Sequence, residues 1–219
     1  MAQRYSVCVG RTPSERGRSL ALPGLVDLFL AICQGLGLAL AAGLSGLLAP
    51  LFASVLAHVD VGWKLDGTSW DFVASEWFIA VLFALNVAGY LVRARKSAQP
   101  LVLIVLVALG AVLFAASLAE EGAAAWPGLI AGALVALFAG LLTRDVLAGA
   151  AQRSPAEDGP RDADGTSMVL FAAGAGLILV LVSLFIPPLS ILALVGLLVL
   201  AVSRQRRAGR KYEGLRVLR

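Results

Sequence analysis

Apolar runs of membrane-spanning length are the feature that most constrains how this chain folds. They lie at about residues 23–58, 71–92, 101–118, 127–143, 168–186 and 188–203. A helix needs roughly 20 apolar residues to cross the hydrocarbon core of a bilayer. The chain is also 59% hydrophobic and only 15% charged, which is outside the range of soluble domains. The sequence therefore predicts an all-α integral membrane protein with about six transmembrane helices.

The charged residues divide the chain into two tails and one membrane domain. Residues 1–22 form a basic tail, residues 23–203 a single polytopic domain, and residues 204–219 a second basic tail. No cleaved signal peptide is predicted, because the apolar stretch that follows the first tail is far longer than a signal-peptide core. The lengths leave no room for a separate soluble domain.

The first apolar segment is too long for one simple crossing. As a straight helix, residues 23–58 would reach roughly 54 Å, whereas the hydrocarbon core is about 30 Å thick. Pro50 and the run Gly43–Gly46 lie where the helix could break. We therefore expect one crossing followed by a broken or re-entrant stretch.

The distribution of Lys and Arg predicts the orientation. Both tails and the connection with Arg93, Arg95 and Lys96 are basic, and we expect them in the cytoplasm. The connection at 59–70 and the pair Glu120 and Glu121 are expected outside. Six crossings with cytoplasmic N- and C-termini satisfy these charges. The predicted location is the cell (inner) membrane.

Two loops share the sequence Asp-Gly-Thr-Ser, at residues 66–69 and 164–167. The stretches before them also align, with Gly46-Leu47-Leu48 matching Gly140-Leu141-Leu142 at a shift of 94 residues. With six crossings these loops fall on opposite sides. The pattern is compatible with a 3+3 inverted-topology repeat of residues 23–118 and 127–203, a frequent construction of transporters. Coincidence in an Ala/Gly/Leu-rich chain is the alternative.

Small residues at four-residue spacing mark candidate helix-packing faces. This spacing places them on one side of a helix, where they allow two backbones to approach closely. Packing within the chain and homodimerisation are both open, as is a crossing of the two repeats. The residues are Gly35, Ala39, Gly128, Gly132, Ala136 and Gly140.

Polar residues at membrane depth, and residues there that can interrupt a helix, are candidates for a substrate pathway. Glu76 is expected near the outer surface, where His58 ends the first segment and could pair with it as a proton or cation relay. Glu76 reaching interfacial water is the alternative. For Gln34 and Asn86, hydrogen bonding between helices competes with cavity lining. The complete candidate set is Glu76, His58, Gln34, Asn86, Gly43, Pro50 and Arg144.

The basic C-terminal tail predicts contact with anionic lipid head groups, through Arg206, Arg207, Arg210 and Lys211. Nucleic acid is not expected as a partner, because no aromatic residues or recognisable fold accompany the charge. The lone histidine and two cysteines have no metal-ligand spacing, so no metal or other cofactor is expected. No nucleophile with a base or carboxylate pair suggests an enzyme.

Two stretches resemble an uncharacterised family of bacterial multi-pass inner-membrane proteins, a domain of unknown function. They are residues 42–50, beginning Ala-Gly-Leu and ending at Pro50, and residues 210–219. The resemblance implies a bacterial inner-membrane protein and carries no functional residues with it.

Two functions from different classes fit these observations. The first is a transporter or channel for a small ion, metabolite or lipid-like substrate, with its site near Gly43–Pro50 and Gly140–Arg144. The second is a non-transporting membrane scaffold or accessory subunit with lipid-binding tails.

Overall fold

The computed structural model describes residues 23–63, 65, 68–92, 99–151 and 161–213. These residues form seven α-helices and one 3₁₀-helix, Asp71–Ala74, with no strand among them, so the predicted all-α class is confirmed. The α-helices are α1 (Pro23–Ser45), α2 (Leu48–His58), α3 (Glu76–Val92), α4 (Gln99–Glu120), α5 (Ala125–Ala151), α6 (Arg161–Phe185) and α7 (Leu189–Glu213).

Three helices are long and apolar enough to cross a membrane. They are Gly24–Ser45 in α1, Pro100–Glu120 in α4 and Ala125–Val146 in α5. Four shorter apolar helices accompany them, at Leu48–His58, Glu76–Leu91, Leu170–Phe185 and Leu189–Ser203. The chain is therefore an α-helical membrane protein with long and short helices.

Helix α4 runs antiparallel to α1. The Ser117 hydroxyl donates a hydrogen bond to the Ala31 carbonyl oxygen (3.2 Å), whereas Gly110 lies against Ala39. The turn at Gly122 then sends α5 back alongside α4. We call the end of the bundle where α1 begins the proximal end, and the end where α1 finishes the distal end. The α4–α5 turn lies at the proximal end.

Helix α6 also runs antiparallel to α1. The Ser183 hydroxyl donates to the Gln34 carbonyl oxygen (2.6 Å), and Gly176 packs against Ser45. A tight turn at residues 187–188 reverses the chain into α7, whose Ser190 hydroxyl donates to the Cys33 carbonyl oxygen. Serine hydroxyls thus bond to α1 carbonyls from α4, α6 and α7, as expected of helices that associate in lipid.

The first apolar segment is broken at Gly46 and Leu47, not at Pro50. Gly46 has φ of +72°, a left-handed conformation that favours glycine, and α2 begins two residues later. Pro50 lies in the first turn of α2, where the missing N–H of a proline is tolerated. The proline therefore belongs to the start of α2.

Helix α2 returns toward the end where α1 began. Gly62, four residues after the end of α2, packs against Leu184 near the proximal end of α6. A pocket at the same end is lined by Thr68 and Trp70 together with Glu120, which lies at the α4–α5 turn. Residues 23–58 therefore form a helical hairpin. This differs from the prediction, in which residues 59–70 lie on the opposite side from the start of the segment.

Because of this hairpin, the first and last helices of the membrane domain begin and finish at opposite ends of the bundle. The seven helices alternate in direction, so α1 begins at the proximal end and α7 runs toward the distal end. The sequence-based prediction counted six crossings and placed both tails on one side. The number of crossings and the side of each tail stay predictions.

The connection between α2 and α3 is packed into the bundle. Trp63, Leu65 and Val73 are each at most 2% exposed and belong to the main hydrophobic core. Helix α2 ends at two backbone hydrogen bonds. The Asp60 N–H donates to the Ala57 carbonyl (3.2 Å) and the Val61 N–H donates to the Leu56 carbonyl (2.9 Å), and Asp60 has φ of 56°. Irregular backbone is tolerated at membrane depth when it is buried in protein in this way.

The second Asp-Gly-Thr-Ser sequence is helical, contrary to the loop predicted for it. Residues 164–167 lie in the first two turns of α6. In the first copy, Asp66 and Gly67 lie outside the described residues, and Thr68 and Ser69 form part of a bend and turn. The two copies therefore differ in local structure.

Candidate functional site

An open groove of about 500 Å³ runs between α2 and α3. One wall comes from α2 and the other from the first half of α3, and all but two of the lining residues are apolar. The groove is lined by Leu51, Val55, His58, Glu76, Ile79, Ala80 and Phe83. His58 and Glu76, which were predicted from sequence as a pair, thus lie at the same, proximal end of one groove. We call it the α2–α3 groove.

The imidazole of His58 is oriented by the backbone. Its Nδ1 atom lies 2.9 Å from the carbonyl oxygen of Ala74. Because a carbonyl oxygen can only accept, Nδ1 carries the hydrogen. Nε2 is therefore the ring nitrogen that is left for a ligand in the groove.

Ser75 fixes the start of α3 and with it the position of Glu76. The Ser75 hydroxyl oxygen accepts the Phe78 amide N–H (3.3 Å) and donates to the Phe72 carbonyl (2.6 Å). Ser75 has an extended backbone, with φ of −73° and ψ of 145°, as expected of an N-cap residue. Glu76 is then the first helical residue and its side chain is exposed. A carboxylate at this position interacts favourably with the helix dipole.

The distal end of the α2–α3 pair has a polar group of its own. The Asn86 side-chain amide donates to the Leu47 carbonyl (2.9 Å) and to the Leu82 carbonyl of its own helix (3.1 Å). Leu47 is the residue of the α1–α2 break, so its carbonyl is available to a partner outside α1. Asn86 therefore fastens α3 to the break, beyond the last groove residue of α3, Phe83.

Exposed aromatic side chains mark both ends of the bundle. Trp77 on α3 is 82% exposed and Trp126 on α5 is 67% exposed, and both lie at the proximal end. Tyr90, near the distal end of α3, is 77% exposed. Trp and Tyr are enriched at membrane–water interfaces. Glu76 is adjacent to Trp77 at the proximal end.

Gln34 is buried in the bundle and is not part of the groove. Its side chain is 8% exposed, and its Nε2 atom has no hydrogen-bond partner within the described part of the chain. The same is true of the Ser54 hydroxyl and the Trp63 indole N–H. Buried polar atoms without partners cost free energy. Within the described residues, these three side-chain atoms are buried without a hydrogen-bond partner.

Gly43 lies at a closed helix–helix contact. A methyl group at this residue would approach the Ala139 Cβ to 2.5 Å and the Ala136 carbonyl oxygen to 2.7 Å. Gly35, Gly128, Gly132 and Gly140 also face neighbouring helices of the same chain. The small-residue faces are therefore occupied within one chain. Gly43 and Pro50 are both buried. Their role in a substrate pathway stays a prediction.

The remaining candidates lie apart from the groove. Arg144 is half-buried near the distal end of α5. The side chains of Arg206, Arg207, Arg210 and Lys211 lie outside the described residues, although the α7 backbone is helical through Glu213. In the part of the chain that the structure describes, no three His, Cys, Asp or Glu side chains are grouped closely enough to hold a metal ion.

Sequence reasoning missed most of the groove wall. Leu51, Val55, Ile79, Ala80 and Phe83 carry no signal of their own, because an apolar residue on a membrane helix can face lipid, a neighbour or a groove. The signal that was available was Ser75 directly before Glu76, which marks a helix start. The packing of α2 against α3 could not be predicted from the sequence of either helix alone.

Comparison with known proteins adds no further assignment. Neither a family model, nor a curated protein, nor a solved structure matches this chain.

Proposed function

We propose that this protein moves a lipid-like amphiphile between the two leaflets of a membrane along the α2–α3 groove. The observation that carries the proposal is an open apolar groove whose proximal end carries the polar residues His58 and Glu76. Beyond the distal end of the groove, Asn86 holds α3 to the α1–α2 break through the Leu47 carbonyl. Such a groove accommodates acyl chains along its wall and offers polar partners to a head group at its proximal end.

The length of α2 lowers the barrier to this movement. Its 11 residues span about 17 Å, compared with roughly 30 Å of hydrocarbon. A short apolar helix is matched by local thinning of the bilayer. A polar head group that crosses beside α2 therefore passes through less hydrocarbon than elsewhere. The long helices α1, α4 and α5 provide a rigid support, locked together through small residues such as Gly43 and Gly110.

The proposal includes an orientation in the inner membrane of a bacterium, the location that the sequence resemblance implies. We place the distal end in the cytoplasm, because Arg93, Arg95 and Lys96 connect α3 to α4 there. The described residues of the proximal end carry six acidic side chains and no Lys or Arg: Asp27, Asp60, Asp71, Glu76, Glu120 and Glu121. The C-terminal basic tail then meets anionic head groups of the cytoplasmic leaflet. The basic N-terminal tail is the exception to this charge pattern.

The proposed path does not require a 3+3 inverted repeat or six crossings. Thr68 and the start of α6 do lie toward opposite ends of the bundle, as such a repeat demands. However, the helix breaks at Gly46 and is continuous at the aligned Gly140 in α5. The groove is built from α2 and α3 alone, and α5 and α6 form no matching broken hairpin among the described residues.

Reconstitution tests the proposed function. Vesicles with and without the protein would carry a trace of a fluorescent phospholipid, and a membrane-impermeant reductant would bleach the outer leaflet. We expect fluorescence in the protein vesicles to fall well below half as inner-leaflet lipid reaches the surface. Bleaching that stops at half, as in protein-free vesicles, would contradict the proposal. A trapped soluble dye serves as the control for leakage.

A non-transporting accessory subunit is the second candidate. The closed contact of Gly43 with Ala139 favours it, because the interior predicted to carry a substrate is filled by packing. It predicts that deleting residues 204–219 abolishes a cellular association, while the vesicle assay shows no lipid movement. The two candidates thus differ in the same measurement.

A further inference from the structure

The charge at the polar end of the α2–α3 groove restricts which lipid head groups can bind there. Of the seven lining residues, Glu76 is the only one that carries an acidic group. A carboxylate accepts hydrogen bonds and pairs with cations, whereas it repels an anionic head group. The end of the groove is therefore complementary to a head group with a positive charge.

His58 provides a second contact of different character beside Glu76. Its Nδ1–H is used by the Ala74 carbonyl, which leaves Nε2 as the ring nitrogen available to a ligand. A head group whose ammonium pairs with Glu76 would therefore meet a second polar atom beside it, Nε2 of His58.

The lining distinguishes a primary ammonium from a trimethylammonium group. A primary ammonium has three N–H donors for a carboxylate, and such charge-assisted hydrogen bonds are the strong ones. A trimethylammonium has no donor and is usually held by a cage of aromatic faces. The single aromatic lining residue is Phe83, seven residues and about two turns of α3 away from Glu76. No aromatic cage surrounds the carboxylate among the lining residues.

We propose that the α2–α3 groove binds a phospholipid whose head group carries a primary ammonium. The acyl chain lies along Val55, Ile79 and Phe83, the ammonium pairs with the Glu76 carboxylate, and Nε2 of His58 is a further polar contact for the head group. The groove volume of about 500 Å³ is within the range of ligand sites, roughly 300–1,000 Å³. This inference rests on the proposed function in that it names the substrate class of the same groove.

Lipid selectivity measured in detergent tests the inference separately from lipid movement. The purified full chain would be mixed with equal amounts of phosphatidylethanolamine, phosphatidylcholine and phosphatidylglycerol that have identical acyl chains. Native mass spectrometry then counts which lipids are retained. We expect phosphatidylethanolamine to be preferred over phosphatidylglycerol by about tenfold, the effect of one charge-assisted hydrogen bond.

Glu76→Gln should abolish this preference, because the neutral amide keeps the shape of the side chain and loses its charge. Glu121→Gln is the matched control, since Glu121 is an exposed acid at the same end and outside the groove. It should retain the wild-type preference. Equal retention of the three lipids by the wild type, or a preference that survives Glu76→Gln, would overturn the inference. Selective binding without lipid movement in vesicles would support the site and reject the transport function.

Discussion

The Nδ1 atom of His58, the last residue of α2, lies 2.9 Å from the carbonyl oxygen of Ala74, the last residue of the 3₁₀-helix. This hydrogen bond closes the connection that leads from α2 to α3. It holds the imidazole at the polar end of the α2–α3 groove, beside Glu76. The geometry of the groove therefore depends on the junction of residues 74–76 as much as on the two helices.

The N-cap at Ser75 should contribute measurably to the free energy of unfolding. Ser75→Ala removes the acceptor for the Phe78 amide and should cost about 1 kcal/mol of unfolding free energy. Ser75→Asn preserves a capping oxygen and should restore most of it. Unfolding by SDS titration in mixed micelles measures both variants. Equal stability of Ser75→Ala and the wild type would show that the cap does not hold α3.

Asn86 should stabilise the break between α1 and α2. Asn86→Leu removes the hydrogen bond to the Leu47 carbonyl and should cost about 0.6–1.7 kcal/mol, the range for hydrogen bonds between membrane helices. Ser203→Ala is the control, because the Ser203 hydroxyl is exposed and bonds only within its own helix. The same SDS titration applies. An equal effect of the two substitutions would contradict a bridging role for Asn86.

The contact of α1 with α5 should tolerate no added side chain at Gly43. Gly43→Ala places a methyl group 2.5 Å from the Ala139 Cβ and should destabilise the protein by about 1–3 kcal/mol. Gly196→Ala, in α7, has no neighbouring atom within 4 Å. This control should be neutral, or more stable by up to about 1 kcal/mol because alanine is the better helix former. Similar stabilities for the two variants would argue against the close α1–α5 packing.

Ser54 and Ser117 should respond in opposite ways to the same substitution. Ser54→Ala removes a buried hydroxyl that has no partner among the described residues, so it should be neutral or stabilise by about 1 kcal/mol. Ser117→Ala removes the bond from α4 to the Ala31 carbonyl and should destabilise by about 0.6–1.7 kcal/mol. Destabilisation by Ser54→Ala would mean that its hydroxyl is satisfied in the folded protein.

Parts of this architecture were predictable from the sequence, and the reason is chemical. The helical class follows from the length of the apolar runs, and the break near Gly46 follows from a glycine-rich stretch in an overlong segment. Glu76 and His58 stood out because polar groups are costly at membrane depth. They were correctly expected to lie at the same end.

The direction of α2 could not be predicted in the same way. The sequence around Gly46 is compatible with either a hairpin or a bend, because both would have the same residues and the same hydropathy. The packing of Gly62 against Leu184 shows that the chain forms a hairpin. The apolar wall of the groove was hidden for a related reason, since Ala80 and Phe83 differ from lipid-facing residues only in what lies beside them.

Filling the α2–α3 groove tests the central claim most directly. Ala80→Trp would place a large side chain in the groove, while Ala175→Trp places the same side chain on the exposed face of α6. Lipid movement would be compared in vesicles that contain equal amounts of folded protein. We expect Ala80→Trp to slow the movement at least tenfold and Ala175→Trp to leave it unchanged. Equal rates for wild type and Ala80→Trp would contradict the groove as the path of the lipid.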